Sequence, residues 1–307
     1  MAVAVFHAGQ WTHADLHLGA AGVDLFFVIS GCIMWLVTAD RERKPATFFL
    51  HRVRRVAPLY WLATLAVVAV AMVSPLVHWD VRPTWSHVLL SLAFIPHFNP
   101  IGLPFPALAQ GWSLPYEAVF YSLFTAALFL PRDRQFLAVT LALSALFVIG
   151  YGNPPFYMLV GNSMLLEFAL GMGLGRALLA RGLPPARWGV AWMVLGVVAL
   201  AASWPVGGDD PGNWRAILWG LPATAIVGGA LSLEVAGRWP AMPWLERLGD
   251  ASYAIYLSHR LAITGAATVL AAAPFAVRMP VAVLAAVASG LAVHWLVERP
   301  LLRLLKR

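Results

Sequence analysis

Long apolar runs recur through this chain, and they leave few folds open. The run over residues 19–38, GAAGVDLFFVISGCIMWLVT, is the clearest of them. About 20 apolar residues cross the hydrocarbon core of a bilayer as a helix. Lipid offers the backbone no hydrogen-bond partners, so a single crossing run must pair its own N–H and C=O groups helically. Of the 307 residues, 61% are hydrophobic and 11% charged, whereas a water-soluble domain carries about 25% charged residues. The fold class expected is an all-α polytopic membrane protein. Residues 1–307 read as a single integral-membrane domain, with no repeat of fixed period and no low-complexity tail.

Charge then orients the runs. Lys and Arg total 21 against 14 Asp and Glu, a net charge of +7. In a water-soluble chain this would raise nucleic acid as a partner. Here the basic residues flank apolar runs, where topology and anionic lipid account for most of them. Residues 40–55 carry Arg41, Arg43, Lys44, Arg52, Arg54 and Arg55 and are assigned to the cytoplasmic side. Residues 57–74 return outward, with Pro58 expected in the first turn of that span, where a missing N–H costs little. The stretch 74–85, with His78, Asp80 and Arg82, is then outside. The segment 87–96 is short for a crossing. Taken as a half-helix or interfacial segment, it keeps Arg132, Arg134, Arg176, Arg181 and Arg187 inside; taken as a span, it puts all five outside. The first option is adopted. The Pro-rich stretch 98–111 follows on the outer side, long enough to cover a site.

The remaining spans are 112–130 inward, 136–150 outward, 157–179 inward, 188–204 outward, 217–235 inward, 252–273 outward and 280–297 inward. The last leads into the basic tail Arg299, Arg303, Lys306 and Arg307. Residues 2–6, AVAVF, read as the last turns of a helix whose start is missing. With that truncated first helix the count is about ten transmembrane helices, with both termini cytoplasmic.

Few polar groups fall within or at the edges of these spans. His7 sits where the first helix emerges, and a histidine there suits a general base near neutral pH; with His13, Asp15 and His17 close by, it also reads as a solvated loop residue. Asp24 lies near the start of its span, and a carboxylate there is expected to face the protein interior. Arg52 and Arg55 are three apart, so on a helix they share a face. They serve either topology alone or a phosphate-rich ligand, which guanidinium groups bind bidentately. Glu117, in GWSLPYEAVFY, reads equally as a catalytic group or as a structural hydrogen-bond partner. Trp112, Tyr116 and Tyr121 beside it read as interface aromatics and packing. Asn162 and Glu167 precede FALGMGLG, whose glycines suit close helix approach rather than a nucleotide loop, since no strand precedes them. His259, in GDASYAIYLSHR, is read about two turns above the inner end of its span. It is either a bridge between helices or a cytoplasmic-side contact to a charged donor.

The chain carries no HExxH, CxxC, Walker-type loop or GxSxG, so metal chemistry and serine hydrolysis find no motif. The lone Cys32 allows no disulfide framework within one chain. The first residues lack the basic region of a cleavable signal peptide.

Four of these stretches, taken in order, resemble the membrane acyltransferase-3 family, which O-acylates carbohydrates outside the cytoplasm. GVDLFFVISG at 22–31 is similar to the family's second-helix motif. FFLHRVRRVAPLYW at 48–61 resembles its Arg-x-x-Arg motif, with the arginines at Arg52 and Arg55. WSLPYEAVFY at 112–121 resembles Trp-Ser-Leu-x-x-Glu-x-x-Phe-Tyr. LGDASYAIYLSH at 248–259 resembles Ser-Tyr-x-x-Tyr-Leu-x-His. The wording around GAAGVDLFFVISG is similar to the exopolysaccharide O-acetyltransferases of that family. One departure is visible: the family's basic residue eleven positions before the histidine that matches His7 would precede Met1. The expectation is therefore a truncated first helix or a longer natural chain.

The resemblance implies acyl-CoA, acetyl-CoA in the simplest case, as co-substrate, with no permanently bound cofactor and no metal. It implies a polysaccharide or lipid-linked glycan as acceptor, with membrane lipids around the chain and no nucleic acid, and residence in a bacterial inner membrane. The roles implied are His7 and Glu117 as catalytic residues and Arg52, Arg55 and His259 as donor-binding residues. Asp24, Trp112, Tyr121 and Glu167 are implied as acceptor-side or structural polar groups. The competing reading is a transporter or flippase for lipid-linked sugars without acyl transfer. The inverted repeats common in transporters are not found in this sequence.

Overall fold

The computed structural model describes residues 1–12, 17–39, 44–74, 81–151, 161–208 and 210–305. His13, Asp15, Arg41, Arg43, His78, Asp80, Lys306 and Arg307 fall outside them. Every regular element among the described residues is helical. The helices are α1 (Ala2–Thr12), α2 (Gly22–Val37), α3 (Pro45–Val73), α4 (Trp85–Leu92), α5 (Leu114–Ala127), α6 (Arg132–Gly150), α7 (Leu165–Arg181), α8 (Gly189–Gly207), α9 (Leu221–Val235), α10 (Pro243–Asp250), α11 (Ser252–Val269), α12 (Phe275–Val293) and α13 (Arg299–Leu305).

Among the described residues, six stretches are long and apolar enough to cross a membrane: Leu18–Val37, Pro45–Val73, Arg132–Gly150, Ala186–Gly207, Gly212–Val235 and Phe275–Leu305. Among the described residues, α1, α5 and α7 have 11, 14 and 17 residues, fewer than the roughly 20 that cross a bilayer upright. The 8-residue α4 rises only about 12 Å, in keeping with a segment too short to span.

The chain divides into two compact units. The first comprises Met1–Gly19, Leu50–Ala118 and Met242–Arg307. In it α1 packs on α11 and α12 through small side chains, with Ala4 and Ala8 against Ile263, Ala282 and Ala286. Small residues let helix backbones approach closely, which substitutes for a hydrophobic drive that lipid cannot supply. A second cluster joins Leu59 and Tyr60 of α3 to Leu108, Leu114, Ala254 and Leu257.

The Pro-rich stretch after α4 is tied down by polar contacts. The Asn99 side-chain oxygen accepts from the amides of Ile101 and Leu103 at 3.1 and 2.8 Å, the local capping that makes asparagine a turn residue. The Ser91 hydroxyl accepts from the Ala107 amide at 2.9 Å, and the His87 and His97 rings share a hydrogen bond of 2.7 Å. The stretch ends in a tight helical turn, Ala109–Ser113, seated against α11.

The second unit comprises Ala20–Phe49 and Val119–Ala241. Its centre is the crossing of α2 and α7. A Cβ on Gly31 would run into the Phe168 carbonyl, and one on Gly171 into the Val28 carbonyl. Gly171 and Gly175 of FALGMGLG therefore lie inside a helix at a close crossing, as the sequence suggested, while a Cβ on Gly173 would face the Phe136 ring at 3.8 Å. Phe27, Phe168 and Phe120 stack in series, with centroid separations of 4.5 and 4.3 Å. The carbonyl end of α2 is capped from α6: Arg132 donates to the Trp35 carbonyl at 2.8 Å and to the Thr38 hydroxyl at 3.0 Å. A cation suits the negative end of a helix dipole.

The expected boundary at Pro58 is overturned. Helix α3 runs unbroken through Pro45–Val73 with Pro58 inside it, so Arg52 and Arg55 lie on the helix itself rather than in a loop ahead of the span. An interior proline leaves one helical carbonyl unpaired, and a long apolar helix tolerates this where neighbouring side chains supply donors. The carbonyl so left is that of Arg54; close to it, the Tyr253 hydroxyl donates to the Val56 carbonyl at 2.8 Å.

Candidate active site

The first unit gathers most of the chemistry. His7 lies at the middle of α1, which continues to Thr12 rather than ending before His7 as the sequence suggested; its ring and that of His259, on α11, have centroids 5.1 Å apart and planes tilted by 32°. His259 is 1% exposed. Its Nδ1 lies 2.7 Å from the Tyr256 carbonyl. A carbonyl only accepts, so Nδ1 carries the proton and Nε2 the lone pair. That Nε2 is buried and has no hydrogen-bond partner among the described residues. His7 Nδ1 meets the Gln10 side-chain oxygen at 2.9 Å, which assigns its proton in the same way and leaves Nε2 as its basic nitrogen.

This pairing corrects the sequence reading of depth. His7 was set where its helix emerges outside and His259 about two turns above the inner end of its span, yet as ring neighbours they share one level. The reason is packing: α1 lies along α11, and the hydrophobic pattern of either helix alone does not report that.

The scaffold under His259 is a polar lattice. Gln110 donates to the Leu257 carbonyl at 2.6 Å, and the Ser113 and Tyr256 hydroxyls are 2.8 Å apart. The Tyr256 hydroxyl also donates to the Gln110 carbonyl. The Trp-Ser-Leu motif is thus held against the Ser-Tyr motif by both backbone and side chain. Glu117, on the first turn of α5, is buried and lies within electrostatic reach of Tyr253 and Tyr256. Trp112 packs edge-on against Tyr116, 6.2 Å between ring centres.

The Arg-x-x-Arg pair belongs to the same unit. Arg55 is 46% exposed, and its Nη1 lies 3.8 Å from Oε1 of Glu298. Glu298 itself is 1% exposed, and its Oε2 accepts from His294 Nδ1 at 2.6 Å. Sequence reasoning missed both Glu298 and His294. The signal available was a Glu four residues after a His, HWLVE, at the end of the last span, where the sequence reading gave neither residue a role.

The second unit holds Asp24, Tyr121 and Glu167. Asp24 is fully buried on the first turn of α2 and receives two hydrogen bonds from Arg215, each 2.9 Å. Glu167, also fully buried, lies beside this pair. Arg215 escaped the sequence reading because it is 191 residues from its partner. The Tyr121 hydroxyl is 3.2 Å from that of Ser30, a buried contact rather than a membrane-interface aromatic. Asn162 precedes α7 and accepts from the Met164 amide at 3.0 Å, so it shapes a helix entry. No group of three or more metal-type ligands occurs among the described residues.

Residues 2–299 match the acyltransferase-3 family, described as an acyltransferase domain. The chain is also 38% identical over 311 residues to the exopolysaccharide production protein ExoZ of Rhizobium meliloti (strain 1021), covering 97% of this chain and 94% of that one. No solved structure matches it. With the family motifs on α2, α3, α5 and α11 of a helical membrane protein, and a match that covers nearly the whole length, the chain belongs to the acyltransferase-3 family.

Proposed function

We propose that this chain is an O-acyltransferase that moves an acyl group, expected to be acetyl, from cytoplasmic acyl-CoA to a hydroxyl of an exopolysaccharide or its lipid-linked precursor, in a bacterial inner membrane. The observation that carries the reading is the His7–His259 pair: two imidazoles 5.1 Å apart, each with its Nδ1 proton engaged. The similarity to an exopolysaccharide production protein of Rhizobium supports the acceptor class.

The chemistry follows from the groups present. The acceptor hydroxyl attacks the thioester carbonyl carbon. A C–O bond forms, the C–S bond breaks, and the hydroxyl proton passes to His7 Nε2. His7 then returns that proton to the departing thiolate, giving free CoA thiol and a neutral imidazole. His259 Nε2 offers the hydrogen-bond acceptor that steadies a substrate O–H or N–H beside His7. Glu117 lends negative charge to the cluster while His7 is cationic. Arg52 and Arg55 take the CoA phosphates, which guanidinium groups bind as a fork. Asp24, Trp112, Tyr121 and Glu167 shape the protein around the acceptor path.

The test is calorimetric binding of acetyl-CoA to the purified protein and to Arg52→Ala/Arg55→Ala. Binding in the parent that is lost in the double variant is the expected result. A parent that binds no acyl-CoA but moves lipid-linked sugar across vesicles would replace this reading with that of a flippase.

A further inference from the structure

The motif reading treats the arginine pair of α3 as self-sufficient, yet a third group from the far end of the chain attends it. Glu298 closes a widened helical turn, His294–Glu298, in which hydrogen bonds skip to the fifth residue. Such π turns are rare and frequent at functional sites. The carboxylate is almost wholly buried, and a buried carboxylate in an apolar helix needs partners. It has one firm partner, His294 Nδ1 at 2.6 Å on Oε2. Its other oxygen, Oε1, makes no hydrogen bond among the described residues and points to Arg55 Nη1 at 3.8 Å.

That distance is informative. A carboxylate meant to neutralise an arginine closes to about 2.7–2.9 Å and takes it bidentately. Here the attraction operates without saturating the fork, and Arg55 stays 46% exposed, so most of its donors remain available. The backbone beside Arg55 is also held, because the Tyr253 hydroxyl donates to the Val56 carbonyl at 2.8 Å. Glu298 lies within electrostatic reach of that same tyrosine. One turn of helix thus fixes the carboxylate, the carboxylate draws the guanidinium to one side, and a tyrosine pins the backbone.

We propose that Glu298, oriented by His294, is a positioning residue: it holds the Arg55 guanidinium in the direction that receives the anionic groups of acyl-CoA. This rests on the donor role given to Arg55 above. A simple counter-ion makes the opposite prediction, since removing it would free Arg55 and tighten anion binding.

The experiment measures the CoA dissociation constant by calorimetry on the purified protein, together with kcat and KM for acetyl-CoA. The variants are Glu298→Gln, Arg55→Ala and their combination. Glu298→Gln is expected to weaken CoA on the order of 10-fold, the lower end of what the partners of metal-ligating residues contribute at metal sites. KM should rise in step and kcat should stay close to that of the parent. The double variant should bind no more weakly than Arg55→Ala alone, because Glu298 acts through Arg55. Glu298→Asp keeps the charge at shorter reach and should fall between parent and Glu298→Gln; it serves as the second variant should Glu298→Gln fail to fold. If Arg55→Ala weakens CoA while Glu298→Gln or Glu298→Asp binds as tightly as the parent or tighter, the positioning role is overturned and the donor site stands. If Arg55→Ala leaves CoA affinity unchanged, the donor role of Arg55 falls first and this inference falls with it.

Discussion

Two arginines in this protein show opposite ways of using the same side chain. Arg215, in the second unit, is buried, and three of its nitrogens are engaged by carboxylates. Nε and Nη2 donate to Asp24 at 2.9 Å each, and Nη1 donates to Asp210 at 3.2 Å. The Trp219 ring lies 4.5 Å from its centre. Arg55, in the first unit, faces one carboxylate from 3.8 Å and remains half-exposed. With three of its five N–H donors taken by carboxylates and its side chain only 6% exposed, Arg215 is closed to a ligand and holds the fold. An attended but unsaturated guanidinium is available, so Arg55 suits an anion. Arginine count and motif alone do not separate the two; the number of donors already satisfied does.

The largest expected effect tests the closed member. Arg215→Ala strips the cation from two buried carboxylates, Asp24 and Glu167. Breaking a buried pair in this way costs about 3–5 kcal/mol, to be read as a steep drop in thermal unfolding midpoint in detergent. Arg55→Ala, a half-exposed substitution, should stay within about 0.5 kcal/mol of the parent. Equal losses in both variants would remove the distinction.

Next in size is His7→Ala. Losing a general base lowers turnover about 10²–10⁴-fold, while acetyl-CoA affinity should be kept, because the phosphates are assigned to the arginines. Full activity in His7→Ala would move the base elsewhere in the cluster, with His259 the next residue to replace.

The smallest effect concerns the Pro-rich stretch of the first unit. Burial, and then the neighbouring His97, push His87 down to about 4, from an ordinary histidine value of about 6.5. The neutral form is favoured in the folded loop. Its contribution is therefore complete above about pH 6.5 and is lost as pH falls toward 4. Amide exchange at Ala107, corrected for intrinsic rate, should quicken across that window, while exchange in the α2–α7 crossing should not. A flat profile at Ala107 would show that the histidine pair does not hold the loop.

Much of the fold was legible because lipid makes demands that composition records. The apolar runs announced helices, the glycines of FALGMGLG announced a close approach, and Asp24 announced an interior face. Arg52 and Arg55 were placed on one helix face by spacing alone. Sequence failed where helices meet. Pro58 reads locally as a helix start, yet it lies within α3, with a tyrosine hydroxyl from α11 bonded to the backbone nearby. The candidate residues could be named one by one from the sequence, but their arrangement could not.

By itself, then, the sequence determined the helical class, the family and a set of candidate residues. Helix formation in lipid is a local matter of satisfying each backbone group within one segment, and the motifs are local strings. The tertiary structure alone decided that His7 adjoins His259, that Asp24 closes on Arg215, and that Glu298 attends Arg55. Each of these pairs joins distant parts of the chain. The periodicity of a helix reports which of its faces is buried, but not which other helix buries it.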